Sequence, residues 1–397
     1  MRQIAVLLFT AAAVAMTSAQ SPKQIVNVGP TLGLPFSGAV KAGGLVYVSG
    51  TIALDASGTT TGDIKAQTAR TLDQIAATLK AAGSSMPMAA SVMVYLKNAS
   101  DFAAMNDVYK TYWPKDPPTR TTVVAPLARP EALVEISMIA IPNGGERRVV
   151  HPADWMRSPN PYSYGIQTGQ TLFLSGLISR NGRDNTVVKG DIAAQTKTVL
   201  DNGSAILKEA GMSYGDVVSA RVFLPDASTF QQMNATYRPY FPAAPPARAT
   251  VKAALTGADY LVEITMVAVK DPARSAVATP NADGTPAAPN PNLSAAIRAG
   301  NRLFVSGTLG STAANKGDVK AQTAESLARI GRTLKAAGFD WSQVVEGMVY
   351  LTDIAQFNDM NASYRATFAK DFPARTTIQS GLMGADANVE IMVVAVK

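Results

Sequence analysis

Arg120 and Glu135, Arg248 and Glu263, and Arg375 and Glu390 form three charged pairs, each separated by 15 positions. Each arginine follows a short proline-containing loop and opens a β-rich run, so its planar fork of N–H donors can project from a sheet edge toward a carboxylate. Each glutamate stands inside an apolar run, as in Leu133-Val134-Glu135-Ile136. A carboxylate there can hold the arginine, orient a water, act as a general base with a raised pKa, or satisfy backbone amides at a bulge. With a hairpin turning near Ala128-Arg129, Glu135 would lie opposite about Val124 and on the sheet face of Arg120. At about 3.3 Å per residue the two would stand roughly 13 Å apart along the strand, which disfavours a simple ion pair.

Thr122, Thr250 and Thr377, two residues after each arginine, share its strand face and offer a hydroxyl beside a bound anion. As β-formers they would also stand there on propensity alone. Ser49-Gly50, Ser175-Gly176 and Ser306-Gly307 close apolar strands, where they present a hydroxyl and an approachable amide or mark a bulge.

Other chemistries are excluded by what is absent. There is no cysteine and one histidine, His151, so disulfides, thiolate nucleophiles, zinc clusters and a Ser-His-Asp triad within the repeats all fall away. No metal or cofactor is expected. His151 is expected at the surface, and Gly43-Gly44 reads as a hairpin turn rather than a phosphate loop. The formal charge of +7 comes from 36 Lys+Arg scattered among 29 Asp+Glu, with no basic run that would mark a nucleic-acid partner.

The elements that position these residues repeat three times in one order. An apolar strand ending in Ser-Gly is followed by Gly-Asp-x-x-Ala-Gln-Thr, beginning at Gly62, Gly190 and Gly317. Asp63, Asp191 and Asp318 suit helix N-caps, and Leu72/Leu79, Leu200/Leu207 and Leu327/Leu334 fall two turns apart on one buried stripe. A lysine and then Gly83, Gly211 or Gly338 closes each helix. A β-rich run and a shorter helix follow, the latter carrying Met105-Asn106 with Tyr109, Met233-Asn234 with Tyr237, and Met360-Asn361 with Tyr364. The arginine strand and the glutamate strand come last.

The chain therefore reads as α+β, with a domain at 20–142, a linker at 143–160, a domain at 161–270, a proline-rich linker at 271–290 and a domain at 291–397. Linkers of about twenty residues are long enough for three copies to close around a threefold axis as an intramolecular pseudo-trimer. Arg2, the apolar stretch Ile4 to Met16 and Thr17-Ser18-Ala19 read as a signal peptide over 1–19, so the mature protein is expected to be exported, periplasmic or extracellular, and not membrane-bound.

Taken together, Val-Ser-Gly, Gln-Thr in the first helix, Asn-x-x-Tyr in the second, Pro-x-Arg-x-Thr and Val-Glu-Ile resemble the RidA/YjgF family, known also as L-PSP endoribonuclease-like, in three tandem copies. The resemblance implies a chorismate-mutase-like fold, each copy a mixed sheet with two helices on one face, and sites in clefts between neighbouring copies. It also implies cofactor-independent hydrolysis of reactive imines and enamines, of the 2-aminoacrylate or 2-iminobutyrate type, to 2-oxo acids and ammonia. Arg120, Arg248 and Arg375 would clamp the substrate carboxylate, and Glu135, Glu263 and Glu390 would orient or activate water. Asn106, Asn234 and Asn361, with the Ser-Gly amides, would complete the cleft. The family tyrosine is kept as Tyr162 but stands as Phe36 in the first copy and Leu293 in the third, and the second copy carries Ala249 where the others have threonine.

Two further readings stay open at this point. One is a non-catalytic carboxylate-binding protein of the cell envelope, motivated by export and by the altered tyrosine positions. The other is an endoribonuclease, which the family label suggests but no basic-aromatic stripe supports.

Overall fold

The computed structural model describes residues 23–29, 33–55, 57–241, 243–368 and 370–397. The expected signal peptide at 1–19 lies outside them. The first domain runs β1 (Gln24–Val26), β2 (Ala39–Ala42), β3 (Leu45–Thr51), α1 (Ile64–Ala81), β4 (Ala89–Leu96), α2 (Phe102–Tyr112), β5 (Thr119–Val124) and β6 (Val134–Ala140). The second runs β7 (Arg148–Val150), β8 (Gly165–Thr168), β9 (Thr171–Leu174), α3 (Ile192–Glu209), β10 (Val217–Leu224), α4 (Phe230–Tyr237), β11 (Ala247–Lys252), β12 (Ala254–Leu255) and β13 (Glu263–Val269). The third runs β14 (Ser275–Val277), β15 (Ala296–Ala299), β16 (Arg302–Leu309), α5 (Val319–Ala336), β17 (Val344–Leu351), α6 (Phe357–Thr367), β18 (Ala374–Gln379), β19 (Gly381–Leu382) and β20 (Val389–Val396).

Each domain is a mixed sheet with its two helices packed on one face, the α+β architecture expected from the repeats. The long helices begin as their sequence dictates. Asp63, Asp191 and Asp318 accept the amides of Ala66, Ala194 and Ala321 at 2.8–2.9 Å. They end at Gly83, Gly211 and Gly338, which take φ of +75°, +69° and +73°, the left-handed conformation that glycine adopts without a Cβ penalty. Between them the leucine stripes are buried against the sheets.

The segments 143–160 and 271–290 are not plain connectors. Each contributes a strand, β7 or β14, that pairs antiparallel with the first hairpin of the following domain, as β1 does in the first. Their short alternations, Arg148-Val149-Val150 and Ser275-Ala276-Val277, are too brief to register as periodicity in the sequence.

The anticipated hairpin between the arginine and glutamate strands does not form. β4 lies between them, parallel to β5 with Val92 opposite Arg120, and antiparallel to β6 with Tyr95 opposite Glu135. Val92 and Tyr95 are an odd number of residues apart, so Arg120 and Glu135 point to opposite faces of the sheet. The same registers, Ala220 with Arg248 and Phe223 with Glu263, then Gly347 with Arg375 and Tyr350 with Glu390, recur in the other domains.

Arginines thus face the helices, and glutamates face the other domains. The inner faces meet in a shared core that includes Tyr95, Phe223, Met348, Tyr350 and Met392. The domains also exchange strands. β12 of the second extends the first domain's sheet beside β5, β19 of the third pairs with β11, and Leu127 of the first bridges to Ile378 of β18. One, two and three are joined in a closed cycle, the intramolecular pseudo-trimer. Among the described residues no helix is long and apolar enough to cross a membrane.

Candidate active site

Because Arg120 and Glu135 lie on opposite faces of one sheet, each arginine meets the glutamate of the next domain instead. In the cleft between the first and second domains, Arg120 stands with Glu263, whose Oε1 accepts the backbone amide of Thr122 at 3.4 Å. Arg248 faces Glu390 between the second and third domains, and Arg375 faces Glu135 between the third and first. The pairing by sequence proximity is therefore corrected in all three cases: the partner comes from the neighbouring copy.

The arginines are held alike. Their guanidinium groups donate to Asn106, Asn234 and Asn361 Oδ1, each at 2.7 Å. They stack over Tyr109, Tyr237 and Tyr364, with Cζ 4.8, 4.6 and 4.7 Å from the ring centroids. Their backbone amides donate to the hydroxyls of Ser175, Ser306 and Ser49 at 2.9, 2.7 and 2.8 Å across the domain boundary. These serines in turn donate to the carbonyls of Ser163, Ser294 and Ser37.

Two expected substrate contacts are therefore engaged otherwise. The serine hydroxyls and the three asparagine carbonyls hold the arginine, and the Gly176 amide donates to the Arg120 carbonyl at 3.1 Å. Gly50, Gly176 and Gly307 serve by lacking a side chain. A Cβ built on them would stand 1.9, 2.0 and 1.7 Å from Oε1 of Glu135, Glu263 and Glu390, so the carboxyl packs directly on each glycine.

Arg120, Arg248 and Arg375 are 4%, 1% and 2% exposed, and Glu135, Glu263 and Glu390 are 5–6% exposed. No arginine nitrogen of the three comes within 4.0 Å of a carboxylate oxygen among the described residues. Burial pushes each glutamate up to about 8, opposed by the facing arginine and, for Glu135 and Glu263, by a backbone amide. At neutral pH the carboxyls are protonated while the guanidiniums remain charged, even Arg375, which burial lowers to about 10. Each cleft thus carries a buried positive charge without a counter-ion. Beside it, the hydroxyls of Thr122, Thr250 and Thr377 are buried with no hydrogen-bond partner, as are Arg248 Nε and Nη1 and the Nδ2 atoms of Asn234 and Asn361. A small anion with several acceptors matches that set.

The sequence profile described as Endoribonuclease L-PSP matches residues 30–142, 154–270 and 285–397. The chain belongs to the endoribonuclease L-PSP family, the RidA/YjgF proteins. Two curated relatives that it matches are each about the length of one copy of the repeat. A RutC family protein of Sulfurisphaera tokodaii is 46% identical over 110 residues, which is 28% of this chain and 88% of the relative. The human 2-iminobutanoate/2-iminopropanoate deaminase is 33% identical over 130 residues, 33% of this chain and 95% of the relative. The solved YjgF gene product of E. coli is 34% identical and aligns over 31% of this chain and 98% of its own, with a TM-score of 0.29. The RidA/YjgF family thus includes imine deaminases.

For this RidA/YjgF chain, several cleft residues were not singled out as site residues from the sequence. The stacking tyrosines Tyr109, Tyr237 and Tyr364 lie three residues beyond each asparagine, one turn along the same helix face, and that threefold recurrence was the available signal. Phe102 and Phe357 pack at 5.6 and 5.5 Å from their arginines. Tyr162 lies 6.0 Å from Arg120, and Phe36 takes its place 5.2 Å from Arg375. His151, expected at the surface, is half-buried, with its ring 5.5 Å from Tyr164 and its Nε2 2.9 Å from the Trp155 carbonyl. Among the described residues no cluster of His, Asp or Glu could hold a metal.

Proposed function

We propose that the chain hydrolyses reactive 2-imino acids and their enamine tautomers to 2-oxo acids and ammonia, in clefts shared by neighbouring domains. The observation that carries this reading is a buried guanidinium, with unpartnered donors around it, facing a buried carboxyl from the next domain. Such a cleft puts a buried cation and a carboxyl whose burial favours its protonated form side by side, which suits an anion whose nitrogen must leave protonated.

In the first cleft, Arg120 keeps N–H donors beyond the one held by Asn106, and these take the substrate carboxylate with the Thr122 hydroxyl beside it. Glu263 Oε1 already accepts from the Thr122 amide, which leaves Oε2 to carry the proton. An enamine gains a proton at carbon to become the iminium. Water then adds to the iminium carbon, and the carbon–nitrogen bond breaks with the electron pair leaving on nitrogen. Iminium and water give ketone and ammonium, so atoms and charge balance with no oxidant or cofactor. The barrier is low, and positioning by Arg120 with proton transfer by Glu263 accounts for the acceleration required. The family's inclusion of a human 2-iminobutanoate/2-iminopropanoate deaminase supports the same reading.

The test is 2-oxobutyrate release from freshly generated 2-iminobutyrate by the wild type and by a chain with Arg120, Arg248 and Arg375 changed to Ala, folding being checked by circular dichroism. Activity that vanishes in a folded variant is expected. A folded wild type that is inert, yet binds 2-oxobutyrate, would replace this reading with that of a carboxylate-binding protein.

A further inference from the structure

The three clefts differ in the wall that the downstream domain supplies. Between the first and second domains that wall holds Asn160, Tyr162, Arg180 and Tyr260, around a cavity of about 310 Å³ that also reaches Arg120 and Glu263. The corresponding positions are Leu34, Phe36, Leu54 and Ala132 in the cleft between the third and first domains, and Pro291, Leu293, Ser311 and Ala387 between the second and third. The correspondence of Leu54 with Arg180, and of Ala132 with Tyr260, holds in structure as well as in sequence. Leu54 and Arg180 both donate their amides to the carbonyl two residues earlier, and both accept a helix side chain, Gln74 or Asn202, on their own carbonyls. Tyr260 and Ala132 follow Asp259 and Glu131, whose carbonyls take the same helical glutamine, Gln195 or Gln67.

Arg180 is fixed rather than free to sweep the solvent. Its Nε donates to the Tyr260 hydroxyl and its Nη1 to the Asn185 carbonyl, each at 2.6 Å, and its Cζ lies 5.6 Å from the Tyr260 ring. Of its five N–H donors these bonds use two. No carboxylate oxygen comes within 4.0 Å of it among the described residues. Two lining residues bear carboxyls: Glu263, neutral at pH 7, and Asp259, exposed at the rim. Tyr162 lines the same cavity, its ring 6.0 Å from Arg120 and within reach of the charges of both Arg120 and Arg180.

One cavity thus holds two immobilised cations, one at its floor and one on its wall, and its volume is at the lower end of the roughly 300–1,000 Å³ of small-molecule sites. We propose that the cleft between the first and second domains takes a small dicarboxylate with the imine beside one of its carboxylates, Arg120 holding that group and Arg180 the distal one. This rests on the carboxylate clamp of the proposed function and assigns a substrate class to one of its three clefts. The other two have Leu54 or Ser311 at that wall position and take monocarboxylates; Arg365, whose charge reaches Arg375, is held over Phe372 and donates to the Gly33 carbonyl instead. The reaction is unchanged, water replacing the imine nitrogen.

The full chain is titrated calorimetrically with succinate and 2-oxoglutarate, and with propionate and 2-oxobutyrate. The wild type is expected to show one dicarboxylate site per chain at least tenfold tighter than its monocarboxylate binding. Arg180→Leu, which installs the first copy's own residue, is expected to lower the ratio of dicarboxylate to monocarboxylate affinity at least tenfold, and Arg180→Gln to do the same. Equal binding of both acid classes by the wild type, or a ratio unmoved by folded variants, overturns the proposal and leaves the clamp standing. Failure of all four acids to bind removes the clamp and this assignment together.

Discussion

Ser175 Oγ accepts the backbone N–H of Arg120 at 2.9 Å and donates its own proton to the Ser163 carbonyl at 2.7 Å, so one hydroxyl joins the arginine strand of the first domain to the second. The contact is 0% exposed at the serine and 4% at the arginine. Ser175→Ala leaves a buried amide without a partner and should destabilise the chain by about 1–3 kcal/mol in chemical denaturation. Turnover should fall in that cleft alone, because Ser49 and Ser306 still serve the other two.

Glycine at 50, 176 and 307 is required by the carboxyl packed on it. Gly176→Ala would set a methyl 2.0 Å from Glu263 Oε1 and 2.9 Å from Thr121 Cγ2, so the carboxyl must swing away from the cleft. We expect a folded chain, destabilised by about 1–3 kcal/mol, in which one cleft no longer turns over. Combining Gly50→Ala, Gly176→Ala and Gly307→Ala should abolish 2-oxobutyrate release. Full activity of the triple variant would show that the carboxyls play no part in the reaction.

Much of the scaffold was readable because the chain states it three times. The Asp63, Asp191 and Asp318 caps and the leucine stripes are local signals, and their helices form where those signals stand. The site was readable as a set of residues but not as a set of partners. A separation of 15 residues between Arg120 and Glu135 cannot disclose that β4 enters between their strands and turns them to opposite faces. Arg180 and Tyr260 escaped for the converse reason: a search for recurrence discards what occurs in one copy only.

The buried glutamates set two trends that one pH series can follow. Below about pH 4 an unfolded glutamate is protonated too, so burial adds no pH-dependent cost there. From that point to about 8 the folded chain keeps protons on Glu135, Glu263 and Glu390 that the unfolded chain has released, so stability falls as pH rises and levels off above about 8. Chemical denaturation at pH 5, 7 and 9 should show that decline. If the neutral carboxyl is the proton donor, kcat/KM also falls as pH rises through about 8, and changing all three to Gln costs on the order of 10²–10⁴ in rate. A kcat/KM that rises through the same range would assign the work to the ionised carboxylate acting as base.

Where the three inner faces meet, the symmetry is broken by one ion pair, Arg221 Nη2 to Glu346 Oε1 at 3.3 Å. Met93 and Met348 stand at the positions of Arg221, and Ser91 and Ser219 at those of Glu346. The pair joins the second domain to the third, with both side chains about one-fifth exposed, at 18% and 19%. Removing one partner strands a charge among Tyr47, Phe173 and Phe304. Glu346→Ser should therefore cost up to about 3 kcal/mol, below the usual range for a fully buried pair because some solvent reaches it. Arg221→Met with Glu346→Ser restores the composition of the other copies and should be neutral or stabilising, by up to about 1 kcal/mol. Urea denaturation of the two single variants and the double variant measures the coupling directly. A double variant as unstable as Glu346→Ser alone would show that the pair adds net stability where the domains meet.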